Sequence, residues 1–104
     1  MAQFDVYDNP VTPDSERIPF LLNVQSDLLE FLPTRVVVPL VRIEFLRQRI
    51  TILHPELLIA SSRVVMVTSE IGVLPRHALG TTVLNLSGRR AEIIGALDML
   101  ITGS

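Results

Sequence analysis

The run "NVQSDLLEFLPTRVVVPL", residues 23–40, decides how the chain is read. A polar turn, Gln25-Ser26-Asp27, leads straight into Leu28, Leu29, Phe31 and Leu32. Pro33 then breaks the chain ahead of a strand-like run, "RVVVPL", that is apolar on both faces. Connections between strands are normally polar, because they lie on the surface with their backbone groups in water. Four large apolar side chains in one connection therefore need a core to fill, a dimer interface, or another protein to meet. Pro39 has no N–H to give a ladder, so this strand is expected to reach a sheet edge there.

Reading outward, "QFDVY" (residues 3–7) alternates polar and apolar with the period of a half-buried strand, and "IPFLLNV" is another strand. Between them, "DNPVTPDSE" (residues 8–16) holds two prolines and several acidic groups, which is the chemistry of a mobile loop. The segment 41–50 is ambiguous: "VRIEF" alternates like a strand, yet Arg42, Glu44, Arg47, Gln48 and Arg49 equally suit an exposed loop. "ELLIA" and "RVVMVTS" flank Ser61-Ser62 as a hairpin would, and "TTVLNL" is a short strand. "EIGVLPRHALG" is interrupted by Gly72, Pro75 and Gly80 and reads as irregular.

The last segment, "SGRRAEIIGALDMLITGS", predicts a helix, with Ser87 as its cap and Gly103 as its stop. At about 100° per residue, Ile93, Ile94, Ala96, Leu97, Leu100 and Ile101 span an arc of roughly 160°, wider than one contact with a sheet uses. The surplus lies mostly toward the C-terminal end. Arg89 and Arg90 stand in the first turn, where the helix dipole disfavours a cation by about 0.3–1 kcal/mol. Pairing with Glu92 would offset this. Several short antiparallel strands closed by one helix make a single domain, residues 1–104, mainly β (α+β) and barrel-like.

Composition excludes more than it specifies. A chain of 104 residues buries roughly 60–70% of its unfolded surface. It has no Cys, no N-terminal basic-then-apolar leader and no run near the roughly 18 apolar residues of a membrane span. A reducing cytoplasm fits. The net charge of −2 gives no general pull toward nucleic acid, and all nine cationic side chains are Arg. Two lone histidines, His54 and His77, do not make a metal site, and the scattered glycines do not make a phosphate cradle. No serine has a base beside it in sequence. No catalytic residue, metal or cofactor is expected.

At "VQSDLL" the chain resembles the CcdB family, the toxins of plasmid-maintenance and chromosomal toxin–antitoxin pairs that poison DNA gyrase. The matches are the opening "QF-x-VY" (Gln3, Phe4, Val6, Tyr7), "VQSD" with two aliphatics (Val24 to Leu29), and a "VxPL" strand end (Val37 to Leu40). A "L-x-P" step (Leu53 to Pro55) and a Leu74-Pro75 step in a loop running to Gly80 follow in the same order. The resemblance implies an SH3-like barrel of antiparallel strands with a small accessory sheet and a C-terminal helix. It also implies a homodimer that is not an enzyme. Such a dimer binds the gyrase A subunit, traps gyrase with its DNA cleaved, and is neutralised by a CcdA-type antitoxin with a disordered tail.

Carried over by position, the gyrase-contacting residues are Ser26, Leu28, Leu29, Asp98, Ile101, Thr102, Gly103 and Ser104, with Phe31 and Leu32 assigned to packing. Arg42, Arg47 and Arg49 form a cationic cluster suited to an acidic antitoxin tail. The chain departs from the pattern at its end: well-studied gyrase poisons finish Trp-Gly-Ile, whereas here Thr102-Gly103-Ser104 stands. An interface Trp is commonly worth about 2–4 kcal/mol, or roughly 30- to 700-fold in affinity. Two alternatives follow: a homologue that binds antitoxin without poisoning gyrase, and a MazF-type endoribonuclease on the same barrel.

Overall fold

The computed structural model describes residues 1–10 and 14–103. Among these residues the strands are β1 (Asp5–Asp8), β2 (Phe20–Asn23), β3 (Thr34–Arg42), β4 (Glu56–Ile59), β5 (Ser62–Met66), β6 (Gly72–Pro75) and β7 (Thr82–Asn85). One helix follows, α1 (Arg90–Ile101). All pairings are antiparallel, in the order β4-β5-β3-β2-β1-β7, with β6 branching from β3. The sheet curls into a half-barrel closed by the C-terminal helix, in line with the barrel-type α+β fold expected from sequence.

β3 holds this arrangement together. One edge pairs with β2 from Leu40 to Val37. The other pairs with β5 at Leu40–Arg42 and with β6 at Thr34–Val37, and a short 3-10 turn (Thr68–Glu70) steps out between them. Pro39 lies inside the sheet, not at the edge that its missing donor suggested. Its carbonyl accepts from the Val67 N–H at 3.1 Å, so its nitrogen, which points the same way, faces the step between β5 and β6 and not β2. A proline is tolerated because the ladder is already interrupted there.

Alternation along β3 sorts its side chains. Val38 and Leu40 join Val6, Leu22, Val64, Met66, Ile93 and Ala96 in the main core, with Val36 packed against it. Val41, on the opposite face, forms a smaller cluster with Val65 and Val67. Burying one such aliphatic side chain contributes about 1.5–3 kcal/mol. The helix supplies Ile93 and Ala96 fully, and Ile94 and Leu97 in part.

Local chemistry corrects several expectations. β1 begins at Asp5, because Phe4 adopts the left-handed φ of +71°. That conformation costs roughly 1–2 kcal/mol in a bulky residue. It is held by a ring sealed in the core, by the Phe4 N–H donating to Asn23 and by the Phe4 carbonyl accepting from Leu86. "EIGVLPRHALG" contains β6, a mostly exposed strand with no apolar alternation of its own, ordered by pairing with β3. Segment 41–50 is divided: Val41 and Arg42 finish β3, and Ile43–Phe45 form a 3-10 turn. Of the 8–16 loop, residues 11–13 lie outside the described residues.

Ser87 does not cap α1. It opens a 3-10 turn (Ser87–Arg89), and its own N–H donates to Asn85 Oδ1 at 2.8 Å. Gly103 does end the helix, with φ +78° and its N–H shared between the carbonyls of Asp98 and Met99. Arg89 meets Glu92 at 2.6 and 2.8 Å, the local pairing anticipated from the helix dipole.

The β4–β5 hairpin turns one residue earlier than expected, at Ala60-Ser61, where φ is +49° and +72°. Two central residues with positive φ define the type I′ turn, which favours Asn-Gly. Ala60→Asn with Ser61→Gly should therefore raise stability by about 1 kcal/mol. Urea unfolding that shows no gain would contradict this account of the turn.

Candidate functional site: an apolar turn and a helix end

The connection from β2 to β3 is built from its polar residues inward. Ser26 Oγ accepts the Leu28 N–H at 3.2 Å, capping a 3-10 turn (Asp27–Leu29). Asp27 Oδ1 accepts the Gln3 N–H at 2.7 Å and ties the turn to the N-terminal segment. Gln25, nearly buried, bridges the connection to β3: its Nε2 donates to the Leu29 carbonyl at 3.0 Å and its Oε1 accepts the Val36 N–H at 3.1 Å.

With its backbone engaged, the turn displays its side chains. Leu28 is 87% exposed and Leu29 43%. Phe31, assigned to packing on sequence, is 78% exposed, and only Leu32 is half-buried. The apolar residues of the connection do not fill the interior. At the other candidate segment, Ile101 is 74% exposed, and Asp98, Thr102 and Gly103 are also exposed. Ser104 lies outside the described residues.

The arginines divide. Arg47 and Arg49 line one groove with Ile43, Leu46 and Gln48. Arg42 points elsewhere, donating to the Glu16 carbonyl at 2.9 Å and to Ser62 Oγ at 3.3 Å. Glu56 gives both its oxygens to Arg63, at 2.8 and 3.2 Å, and leaves Arg49 a longer contact of 3.5 Å. Those bonds hold the Glu56 carboxyl below the usual carboxylate range, the Arg63 hydrogen bond first among causes. Arg49 Nη1 is buried with no acceptor among the described residues. A buried guanidinium donor left open is a place for an incoming oxygen.

The fold also places a base beside a serine that sequence left alone: His54 Nε2 lies 3.0 Å from Ser69 Oγ. Among the described residues no carboxylate bonds that imidazole, and no group of three or more His, Cys, Asp or Glu could hold a metal. No helix among them is long and apolar enough to cross a membrane. Sequence reasoning missed Phe31, Gln25 and Arg35. The parity of β3 could have exposed Arg35, which shares a face with Val37 and Val41 in a strand apolar on both sides.

The half-barrel displays apolar side chains and guanidinium groups, a chemistry that suits contact with another protein. The family model for CcdB protein matches residues 3–103, and the chain belongs to the CcdB family, the toxins of toxin–antitoxin pairs. No curated protein matches it.

The pKa of His54 is pushed below its ordinary 6.5, first by burial and then by the Arg49 charge, against an opposing pull from Glu70. The folded state thus binds its proton less readily than the unfolded chain. The stability His54 contributes is complete above about pH 6.5 and is lost as pH falls through that value toward the folded pKa. Wild-type stability measured from pH 7.5 to 5.5 should fall more than that of His54→Gln. Parallel curves would remove the effect.

Proposed function

We propose that this chain is a toxin that acts as a homodimer on the DNA gyrase A subunit, trapping gyrase with its DNA cleaved. It works in the cytoplasm by binding, without catalysis or cofactor, and a CcdA-type antitoxin neutralises it. The observation that carries this reading is the exposure of Leu28 and Leu29 on a turn whose backbone is bonded into the sheet, together with that of Ile101 at the helix end. Ser26 and Asp27 shape the turn, and Asp98, Ile101, Thr102, Gly103 and Ser104 complete the surface from the helix side. A two-fold axis would present each patch twice.

Thr102 in place of the family's Trp favours a second reading, a homologue that keeps the antitoxin and has lost gyrase poisoning. Purified protein should stabilise gyrase-cleaved plasmid DNA at concentrations well above its dimerisation constant. Leu28→Asp should weaken this by about 30-fold or more while leaving stability within about 0.5 kcal/mol. Absence of cleavage by the wild type would leave the second reading standing.

For the antitoxin, the groove at Arg47 and Arg49 suits a carboxylate of an acidic, partly apolar tail, which would fold as it binds. Arg42 belongs to the same cationic segment and acts at one remove, through Glu16 and Ser62. Reversing Arg47 and Arg49 to Glu should cost at least about tenfold in affinity for the tail. Gyrase cleavage should persist, and unchanged tail binding would exclude this site.

A further inference from the structure

Arg35 is 2% exposed and forms no ion pair with a carboxylate among the described residues. Its hydrogen bonds go to backbone oxygen. Nη1 donates to the Leu32 and Thr34 carbonyls, each at 2.8 Å, and Nη2 donates to the Glu30 carbonyl at 3.0 Å. These three carbonyls bracket Phe31 and the exit of the apolar turn. The planar fork of a guanidinium can span such a set, whereas the point charge of a lysine cannot. Arg35 therefore closes the far side of the turn, as Gln25 closes the near side through Leu29.

The aromatic inventory says what is being held. The chain has four Phe, one Tyr and no Trp. Phe4 and Tyr7 are buried, Phe20 packs against the core, and Phe45 lies in the separate 3-10 turn before the arginine groove. Phe31 alone stands beside Leu28 and Leu29, and it is the most exposed of the aromatics. Left free, a Phe on a loose turn folds onto nearby apolar surface, because leaving water is favourable. Here its neighbours' carbonyls are bonded to a buried cation, and the ring stays out. Rigid aromatic side chains presented at low entropic cost are the usual anchors of protein interfaces.

Resting on the gyrase reading above, we infer that Arg35 is a positioning residue that holds the Leu28–Phe31 turn in its outward form, and that Phe31 is the aromatic anchor it presents to the gyrase A subunit. Phe31 then supplies, from the turn, the ring that the helix end lacks at Thr102.

The test combines amide exchange on the free dimer with affinity for purified gyrase A subunit, for wild type, Phe31→Ala, Arg35→Lys and the double variant. In wild type the Leu29, Glu30 and Leu32 amides, bonded within the turn, should exchange at least about 100-fold more slowly than an unstructured peptide. Arg35→Lys should speed them about tenfold, with the Val24 and Val67 amides of the sheet nearly unchanged. Phe31→Ala should weaken gyrase A binding about 30-fold. Arg35→Lys should weaken it about tenfold alone and add almost nothing to Phe31→Ala.

Peptide-like exchange of the wild-type turn overturns the positioning role even if Arg35→Lys fails to fold. So does full additivity in the double variant. Unimpaired binding by Phe31→Ala overturns the anchor. If wild type itself does not bind gyrase A, the function proposed above falls and the anchor with it, while the exchange rates still decide the part played by Arg35.

Discussion

The structure depends on one strand being hydrogen-bonded along both of its edges. β3 is bonded to β2 on one side and, on the other, first to β5 and then to β6. A strand with two occupied edges and two covered faces must be apolar almost throughout, which is why "RVVVPL" reads as it does. The single interruption, at the step between β5 and β6, is where the sequence places its proline. The step and the proline accommodate each other, and the sheet bends around them into a half-barrel that one helix can close.

The apolar turn follows from that strand. Gln25 bonds to Val36, and Arg35 reaches back to the carbonyls of Glu30, Leu32 and Thr34. The turn is thus fastened at both ends to the strand that is paired along both of its edges. A connection in this position could have used a polar sequence and water to satisfy its backbone. It uses two buried polar side chains, and its own side chains are left free for a partner. The surface proposed for docking is therefore pre-organised by bonds that lie beneath it.

Much of this was legible in the residues. The strands with clear alternation, the terminal helix and its glycine stop all follow from period and composition. β6 did not, because a strand that is exposed and bounded by Gly72 and Pro75 carries no apolar rhythm and owes its order to β3. The start of β1 was misplaced because alternation cannot show that Phe4 turns left-handed to reach the core. Within the candidate site, the apolar excess at Leu28 to Leu32 was visible, but which side chains face water was not. That depends on Arg35, whose partners are backbone carbonyls, and a carbonyl has no signature in a sequence. The groove at Arg49 was legible only as a cluster of charge; the unsatisfied Nη1 appears once Glu56 is seen to favour Arg63.

The helix stop has a consequence of its own. Gly103 folds back on Asp98 and Met99, and the Thr102 N–H and hydroxyl both bond to the Asp98 carbonyl, so these bonds of the last turn are made with backbone atoms of the helix. Replacing the exposed side chain of Ile101 removes none of these bonds. The turn near Phe31 has no such latitude, since its shape is shared with β3. Side-chain changes at the tail are therefore cheaper for this fold than changes in the turn, where one set of bonds serves both the displayed surface and β3.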